Sequence, residues 1–456
     1  MAEIATPSGE GLVDDAPPRA AIVAPASGLY RGYVLWLLLG VYIVNFLDRQ
    51  VVNILAEPIK KELHLLDWQV GLLSGFAFGI VYTLLAFPLA RAADRGNRSL
   101  IIAGCLAAWS AFTGACGLAQ NFIQLLLARA GVGVGEAGCV PTSHALIADY
   151  TPKEKRASAL AFYAMGTPLG SLLGLALGGV LNDYFGWRMA FLAAAAPGLV
   201  LSVLCLLTLR EPRKLTKKAV EATQTNLATF SETLRYMRGK RAFWWLASGA
   251  GVRAFLGYGH APFIASFFVR AHGQEVGELA ARFHMKPMGF LGLAIGLMTG
   301  VGGAFGSWLG GQIADRMGAR DLRVFGTLPA LAVVISFPFT VLVYTTSSAA
   351  LALSLYIVVA TCGTLWYGPV YASAQGMAPP NMRAMSASIM LFVINFLGLV
   401  VGAVAIGALS DILNKALALG PADGLRWALI GSTAAGLIAA LFFWNARHRV
   451  AEEMVS

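Results

Sequence analysis

Apolar and polar positions along this chain fall into long blocks, with neither the two-residue alternation of a half-exposed strand nor the one-sided stripe of a soluble helix. The apolar blocks run roughly 20 to 25 residues, the length that crosses a hydrocarbon core of about 30 Å as a helix. Twelve follow one another, near residues 33–57, 69–90, 99–119, 123–149, 156–181, 188–209, 243–270, 288–313, 323–344, 349–377, 383–413 and 426–446. The pattern predicts an all-α membrane protein with twelve transmembrane helices. Ahead of the first block, residues 1–30 are rich in Ala, Pro, Gly and Ser and lack an apolar run behind a basic start. They read as an uncleaved, disordered tail.

Composition agrees: 57% of residues are hydrophobic and 13% charged, where a soluble domain carries about 25% charged residues. The net charge of +10 does not point to nucleic acid, because the basic residues sit in connectors rather than on one soluble face. They collect after the second, fourth, sixth, eighth and tenth blocks, as in "RAADRGNR", "TPKEKR", "REPRKLTKK", "DRMGARDLR" and "PPNMR", and again at the C-terminus as "NARHR". The positive-inside bias makes that face cytoplasmic, and an even number of spans places both termini there. A multi-pass protein of the plasma (inner) membrane is expected. "KKELH" after the first block and the loop 271–287 run against the bias. The five cysteines lie inside apolar blocks without metal-ligand spacing, so neither a metal nor a cofactor is expected.

The connector after the sixth block is the longest basic one, and "FSETLRYMRGK" within it has the mixed charge of an amphipathic surface helix. It divides the chain into a bundle at 31–210, a linker at 211–242 and a second bundle at 243–456. The two halves echo each other. "LARAADRGNRS", from Leu89, follows the second block of the first half, and "GGQIADRMGAR", from Gly310, follows the second block of the second. "TPKEKRASA" and "PPNMRAMSA" match after the fourth and tenth blocks, and "GWRMAFL" and "LRWALI" match at the openings of the sixth and twelfth. An internal repeat of six spans predicts two pseudo-symmetric six-helix bundles.

The charged phrase resembles the signature of the major facilitator superfamily, Gly-x-x-x-Asp-Arg-x-Gly-x-Arg between helices 2 and 3. The second copy fits with Gly311, Asp315, Arg316, Gly318 and Arg320; the first has Ala90 at the leading glycine and one residue fewer before Gly96. Within that superfamily, "NFLDRQVVNILAEPIKKELHL", "LLLARAGVGVGEAGCVPTSHALIADYTPKEKRA" and "DYFGWRMAF" resemble the Spinster family of lysolipid and sphingolipid transporters. The resemblance implies a major facilitator fold and a cytoplasmic gate. Asp94, Arg95 and Arg98 would belong to that gate, with Asp149 as the mate of Arg95, and Gly311, Asp315 and Arg316 as the second copy. The position matching Asp149 is Gly376, which leaves the second latch incomplete. The same charges also serve simply to set topology.

Charges deep inside spans carry the chemistry, since an ion at mid-bilayer costs at least ~3 kcal/mol and must face a partner or a wet cavity. Asp48 and Arg49 lie in the first block, about 100° apart around the helix. In the fourth block, Arg129, Gly133 and Glu136 share one face at i, i+4 and i+7. A buried carboxylate can neutralise itself with a proton and arginine cannot. If Asp48 or Glu136 pairs with Arg129, protonation frees the arginine for an anionic headgroup; a static bridge gluing spans 1 and 4 is the alternative. Asp48, Glu136 and Arg129 are therefore the candidates for proton coupling, and Arg49, Arg129, Glu136, Arg253 and His260 for substrate binding.

These observations predict a proton-coupled secondary transporter working by alternating access on an amphiphilic anion, with the lysophospholipid or sphingoid identity supplied by the resemblance. A transporter of small organic anions or drugs fits the polar site equally. One chain suffices for this architecture, so a monomer is expected. An intramembrane enzyme lacks support in the sequence, which contains no HExxH, no GxSxG and no convincing His and Asp cluster.

Overall fold

A computed structural model describes residues 27–152, 155–212, 229–379 and 381–454. Helices dominate, and there is no strand among the described residues. The first half comprises α1 (Gly28–Ile54), α2 (Asp67–Gly71, Leu72–Phe76 and Ala77–Arg95 in line), α3 (Arg98–Leu118), α4 (Phe122–Ala137 and Cys139–Tyr150), and α5 and α6, which share Gly166–Thr208 behind a short lead-in at Arg156–Ala164. The second half comprises α7 (Arg241–Arg282), α8 (Pro287–Leu297, Met298–Gly302 and Gly303–Gly318), α9 (Val324–Thr345), α10 (Ala349–Thr364 and Tyr367–Gly376), α11 (Arg383–Asn395, Phe396–Gly402 and Ala403–Ala416) and α12 (Gly420–Ala446). Ten helices among the described residues are long and apolar enough to cross a membrane. One of them, Ser158–Thr208, is a double crossing, and the more polar α7 lies outside the ten, so the helices are consistent with twelve crossings.

Three local features shape this path. Gly186 has φ +79°, a conformation open to glycine at no steric cost, and it reverses the chain between α5 and α6 without a loop. His64 and His284 both adopt positive φ, at 53° and 55°, just ahead of α2 and α8. The same left-handed turn thus stands at matching places in the two halves, a repeat carried by backbone shape as well as by sequence. Three stretches form wider, π-type turns: Leu72–Phe76 in α2, Met298–Gly302 in α8 and Phe396–Gly402 in α11. Such turns recur where helices bend or serve function.

The tail expected at 1–30 ends early, because Ser27 Oγ accepts the Tyr30 N–H and starts α1 at Gly28; residues 1–26 lie outside the described residues. In the connector, Phe230–Arg238 is helical, with Thr229 and Glu232 forming a reciprocal capping box and Thr233 and Met237 turned inward. Residues 213–228 of the linker lie outside the described residues.

The two bundles meet along α2 against α11 and α5 against α8. A Cβ on Gly71 or Gly75 would lie 2.3 or 2.4 Å from the carbonyl oxygens of Ala403 or Leu399, and one on Gly179 or Gly292 would lie 2.2 or 2.1 Å from those of Met288 or Leu175. Only glycine permits such contact between helix backbones in a membrane. These contacts lie toward the face opposite the basic connectors, called here the far face.

Candidate functional site

The deep charges of the first half converge. Arg49 of α1 donates Nε–H to Glu136 Oε2 of α4 at 2.6 Å, with the arginine side chain 14% exposed and the glutamate 0%. Three rings surround the guanidinium, with centroids 5.2 Å (Phe46), 4.7 Å (Phe78) and 4.8 Å (Tyr82) away. Aromatic faces attract a cation without neutralising it. Glu136 stands in the last turn of the first piece of α4, just before the helix breaks at Gly138. Asp48, the neighbour of Arg49, points elsewhere: its Oδ2 accepts the Thr113 hydroxyl of α3 at 3.1 Å.

The pairing differs from the one expected. Arg129 bonds neither Asp48 nor Glu136 among the described contacts; its Nε donates to the backbone carbonyl of Leu73 in α2 at 3.2 Å, and its guanidinium lies 5.6 Å from the Phe78 centroid. The reason is geometric. Arg129 and Glu136 sit two turns apart on one helix, roughly 10 Å along the axis, whereas Arg49 reaches Glu136 from a crossing helix at the same depth. A buried pair completed in this way is costly to break, because the survivor is left as an uncompensated charge.

The second half is built differently. Arg253 of α7 is half-buried, its Nε has no hydrogen-bond partner among the described residues, and its Nη2 lies 2.8 Å from where a Cβ on Gly363 would stand. His260, a candidate for substrate binding, has both ring nitrogens engaged within this half, Nδ1 with the Tyr344 hydroxyl at 3.1 Å and Nε2 with Ser432 Oγ at 2.9 Å. That geometry ties α7 to α9 and α12 and leaves no ring nitrogen for a ligand. On α10, Trp366, Tyr367 and Tyr371 form a stacked row, with centroids 4.2 Å apart for the first pair and 6.3 Å for the second.

At the basic connectors, Arg98 Nη1 donates to Asp149 Oδ2 at 2.5 Å, and the Arg98 backbone N–H donates to Glu211 Oε2 at 2.7 Å. Arg98 thus holds Asp149; the pairing expected between Asp149 and Arg95 falls on side chains outside the described ones, as does Asp94. In the second copy, Asp315 and Arg316 are exposed and no ion pair joins them to a neighbour among the described residues. Gly311 instead packs against Gly368 of α10, where a Cβ on Gly368 would come within 3.3 Å of its Cα, and the Gly376 position is covered by Met454.

One cluster escaped the sequence reading altogether. At the far face, Arg270 of α7 donates to Glu57 at 2.7 Å and to Asp67 at 2.8 Å. Asp67 also receives Lys60 Nζ at 2.5 Å and the Ser410 hydroxyl of α11 at 2.8 Å. Asp411 accepts the backbone N–H groups of Asp67 and Trp68, ionic partners for the orphan donors at the start of α2. The cluster bridges the two halves over separations of 203 to 344 residues, which no local pattern reveals. It also accounts for Lys60 on a face the charge bias would leave poor in lysine, since that lysine is neutralised in place.

The chain is similar to known membrane transporters over most of its length. The Major Facilitator Superfamily model matches residues 38–403. An MFS-type efflux pump of Mycolicibacterium smegmatis is 31% identical over 96% of this chain and 98% of its own length, and a putative tartrate transporter of Agrobacterium vitis is 26% identical over 75% of this chain and 80% of its own. Among solved structures, a bacterial homolog of the human lysosomal transporter Spinster, in an inward-facing and unoccupied conformation, superposes with a TM-score of 0.83 at 30% identity, covering 94% of this chain and 100% of that one. With a superfamily match over most of its length and structural similarity to a Spinster homolog over 94% of it, the chain belongs to the Major Facilitator Superfamily and is a multi-pass membrane transporter.

Proposed function

We infer that this transporter is proton-coupled and moves an amphiphilic, anionic, lipid-like substrate, a lysophospholipid or sphingoid lipid, by alternating access across the inner membrane, with both termini cytoplasmic. The observation that carries the reading is the Arg49–Glu136 pair deep in the bundle, within a ring of Phe46, Phe78 and Tyr82. Protonation of Glu136 removes the carboxylate from Arg49 and leaves a cation among aromatic rings, suited to an anionic head with an apolar tail beside it. Ionisation restores the pair and expels the anion. Proton and substrate thus compete for one arginine, and Asp48, held by Thr113 on the far side of α1, is the second titrating group. Arg49 takes the role first expected of Arg129. Arg253 offers a cation from the opposite half.

The lipid is what the resemblance to the Spinster family implies; the tartrate transporter among the relatives supports a small organic anion as the second reading. Sealed liposomes with a pH gradient separate them, loaded with fluorescent lysolipids in one arm and tartrate or hexuronate in the other. Gradient-driven lysolipid movement that is lost in Glu136→Gln and Asp48→Asn is the expected result. Movement of the organic anions alone replaces the substrate class, and transport indifferent to both the gradient and the acid variants overturns the coupling.

A further inference from the structure

Helix α2 has two working faces. On one, Gly71, Gly75 and Gly79 recur every fourth residue against α11, where added Cβ atoms would come within 2.3, 2.4 and 2.8 Å of Ala403 O, Leu399 O and Leu399 Cβ. This is the contact between the two bundles, and the α11 side of it includes the wide turn Phe396–Gly402. On the other face, α2 is gripped by the two arginines of the charged site. Arg129 bonds Leu73 O, and Phe78 lies between the guanidinium groups of Arg129 and Arg49, at 5.6 and 4.7 Å. Gly133, one turn beyond Arg129, brings α4 so close that a Cβ there would lie 2.7 Å from Phe78 O.

Between these faces runs the wide turn Leu72–Phe76, in which the Ala77 N–H reaches back five residues to Leu72 O. A π-type turn inserts an extra residue into the helical ladder and changes the rotational register of everything beyond it. Leu73 O, the acceptor for Arg129, belongs to that turn. Arg129 is 1% exposed, and its Nη1 has no hydrogen-bond partner among the described residues, so Leu73 O and the Phe78 ring are the contacts that define its position. The charged groups around the two carboxylates are Arg49 of α1 and Arg129 of α4, and the polar or titratable ones are Asn45 of α1, Trp109, Thr113 and Cys116 of α3, and Cys139 of α4.

We propose that Arg129 is a positioning residue that transmits the state of the carboxylates to the contact between the bundles, by pinning the wide turn of α2 through Leu73 O. The inference rests on the proton-coupled reading above. With Glu136 and Asp48 ionised, Arg129 is held in their field and keeps the turn wide, with the glycine face of α2 seated on α11. With a carboxylate neutralised, the remaining charge draws Arg129 away from Leu73 O, the turn re-registers, and α2 rotates its glycines off α11. The far face then opens. Arg129 acts through α2 and touches no substrate.

The test places spin labels on a non-canonical amino acid at Gln120 and Ser347, both exposed and in far-face connectors of opposite halves, and reads their distance distribution between pH 8 and pH 5 in lipid nanodiscs. Wild type is expected to shift toward longer distances as the pH falls. Arg129→Lys keeps the charge but cannot place an Nε–H on Leu73 O, and is expected to show the long-distance population at every pH. Phe78→Leu, which removes no charge, covers the case in which the lysine variant misfolds; it is expected to weaken the grip and move the midpoint of the shift to higher pH. A wild-type shift reproduced unchanged by Arg129→Lys, or by Phe78→Leu where the lysine variant does not fold, overturns this inference alone. A wild type that does not respond to pH removes the proton-coupled reading and this inference together.

Discussion

The two halves of this transporter repeat each other in path and differ in chemistry. Both place a left-handed histidine before their second helix, at His64 and His284, and both carry Ala-Asp-Arg at the C-terminal end of that helix. Yet the first half sets four charges deep in its spans, Asp48, Arg49, Arg129 and Glu136, and ties each of them to a neighbouring helix. The second half offers Arg253, a histidine bridge and a row of stacked aromatics. Symmetry in a repeat protein therefore constrains helix packing and connection, and leaves side-chain chemistry free to diverge. In the proposed function the first half is the coupling device and the second a wall against which it works.

That contrast can be broken at several points. The largest effect is expected from Arg49→Ala, which strands Glu136 as a buried, unpaired carboxylate at about 3–5 kcal/mol; a thermal unfolding series in detergent at pH 8 reads the loss, and acidification should restore much of it, because a protonated glutamate needs no partner. Next come Glu136→Gln and Arg253→Gln as a matched pair. The first should lower gradient-driven transport by about a hundredfold, as removal of an essential group does, an effect worth about 2.7 kcal/mol. The second should raise KM by less than about tenfold and leave the pH profile in place; equal effects on the pH profile would erase the distinction between the halves. Smaller again is Arg270→Ala. It breaks the buried cluster that joins the halves at the far face, and a cysteine at Ile406, buried behind that contact, should then react about tenfold faster with a membrane-impermeant thiol reagent. The smallest is Tyr344→Phe, which deletes one hydrogen bond of His260 and should cost about 1 kcal/mol of stability without moving the pH dependence of transport.

Much of the fold is legible in the chain read residue by residue. The all-helical membrane class, the six-and-six repeat and the amphipathic connector helix follow from properties local to each stretch: apolar length, charge in short loops, the acid-base mixture of "FSETLRYMRGK". The depth of Asp48, Arg49, Arg129 and Glu136 is equally plain, since depth is a count of residues from the span's edge. Their partners are not. Arg49 and Glu136 are 87 residues apart, Arg129 and Leu73 are 56 apart, and Arg270 and Glu57 are 213 apart. His260 shows the limit most clearly: its sequence position is that of a ligand-facing histidine as readily as that of a packing one, and only the presence of Tyr344 and Ser432 on neighbouring helices decides.

The sequence by itself determined that this chain lives in a bilayer, that it crosses in two matching sets of helices, which connectors are basic and which spans hold charge, because a membrane imposes those demands on each segment separately. Tertiary structure alone decided which arginine meets which carboxylate, that α2 touches both the charged site and the other bundle, and that Arg270, Asp67 and Asp411 join the halves at the far face. Rotation of a helix about its own axis costs the bilayer almost nothing. It is fixed by close contacts such as Gly75 on Leu399 and Gly133 on Phe78, and those exist only when the whole bundle is assembled.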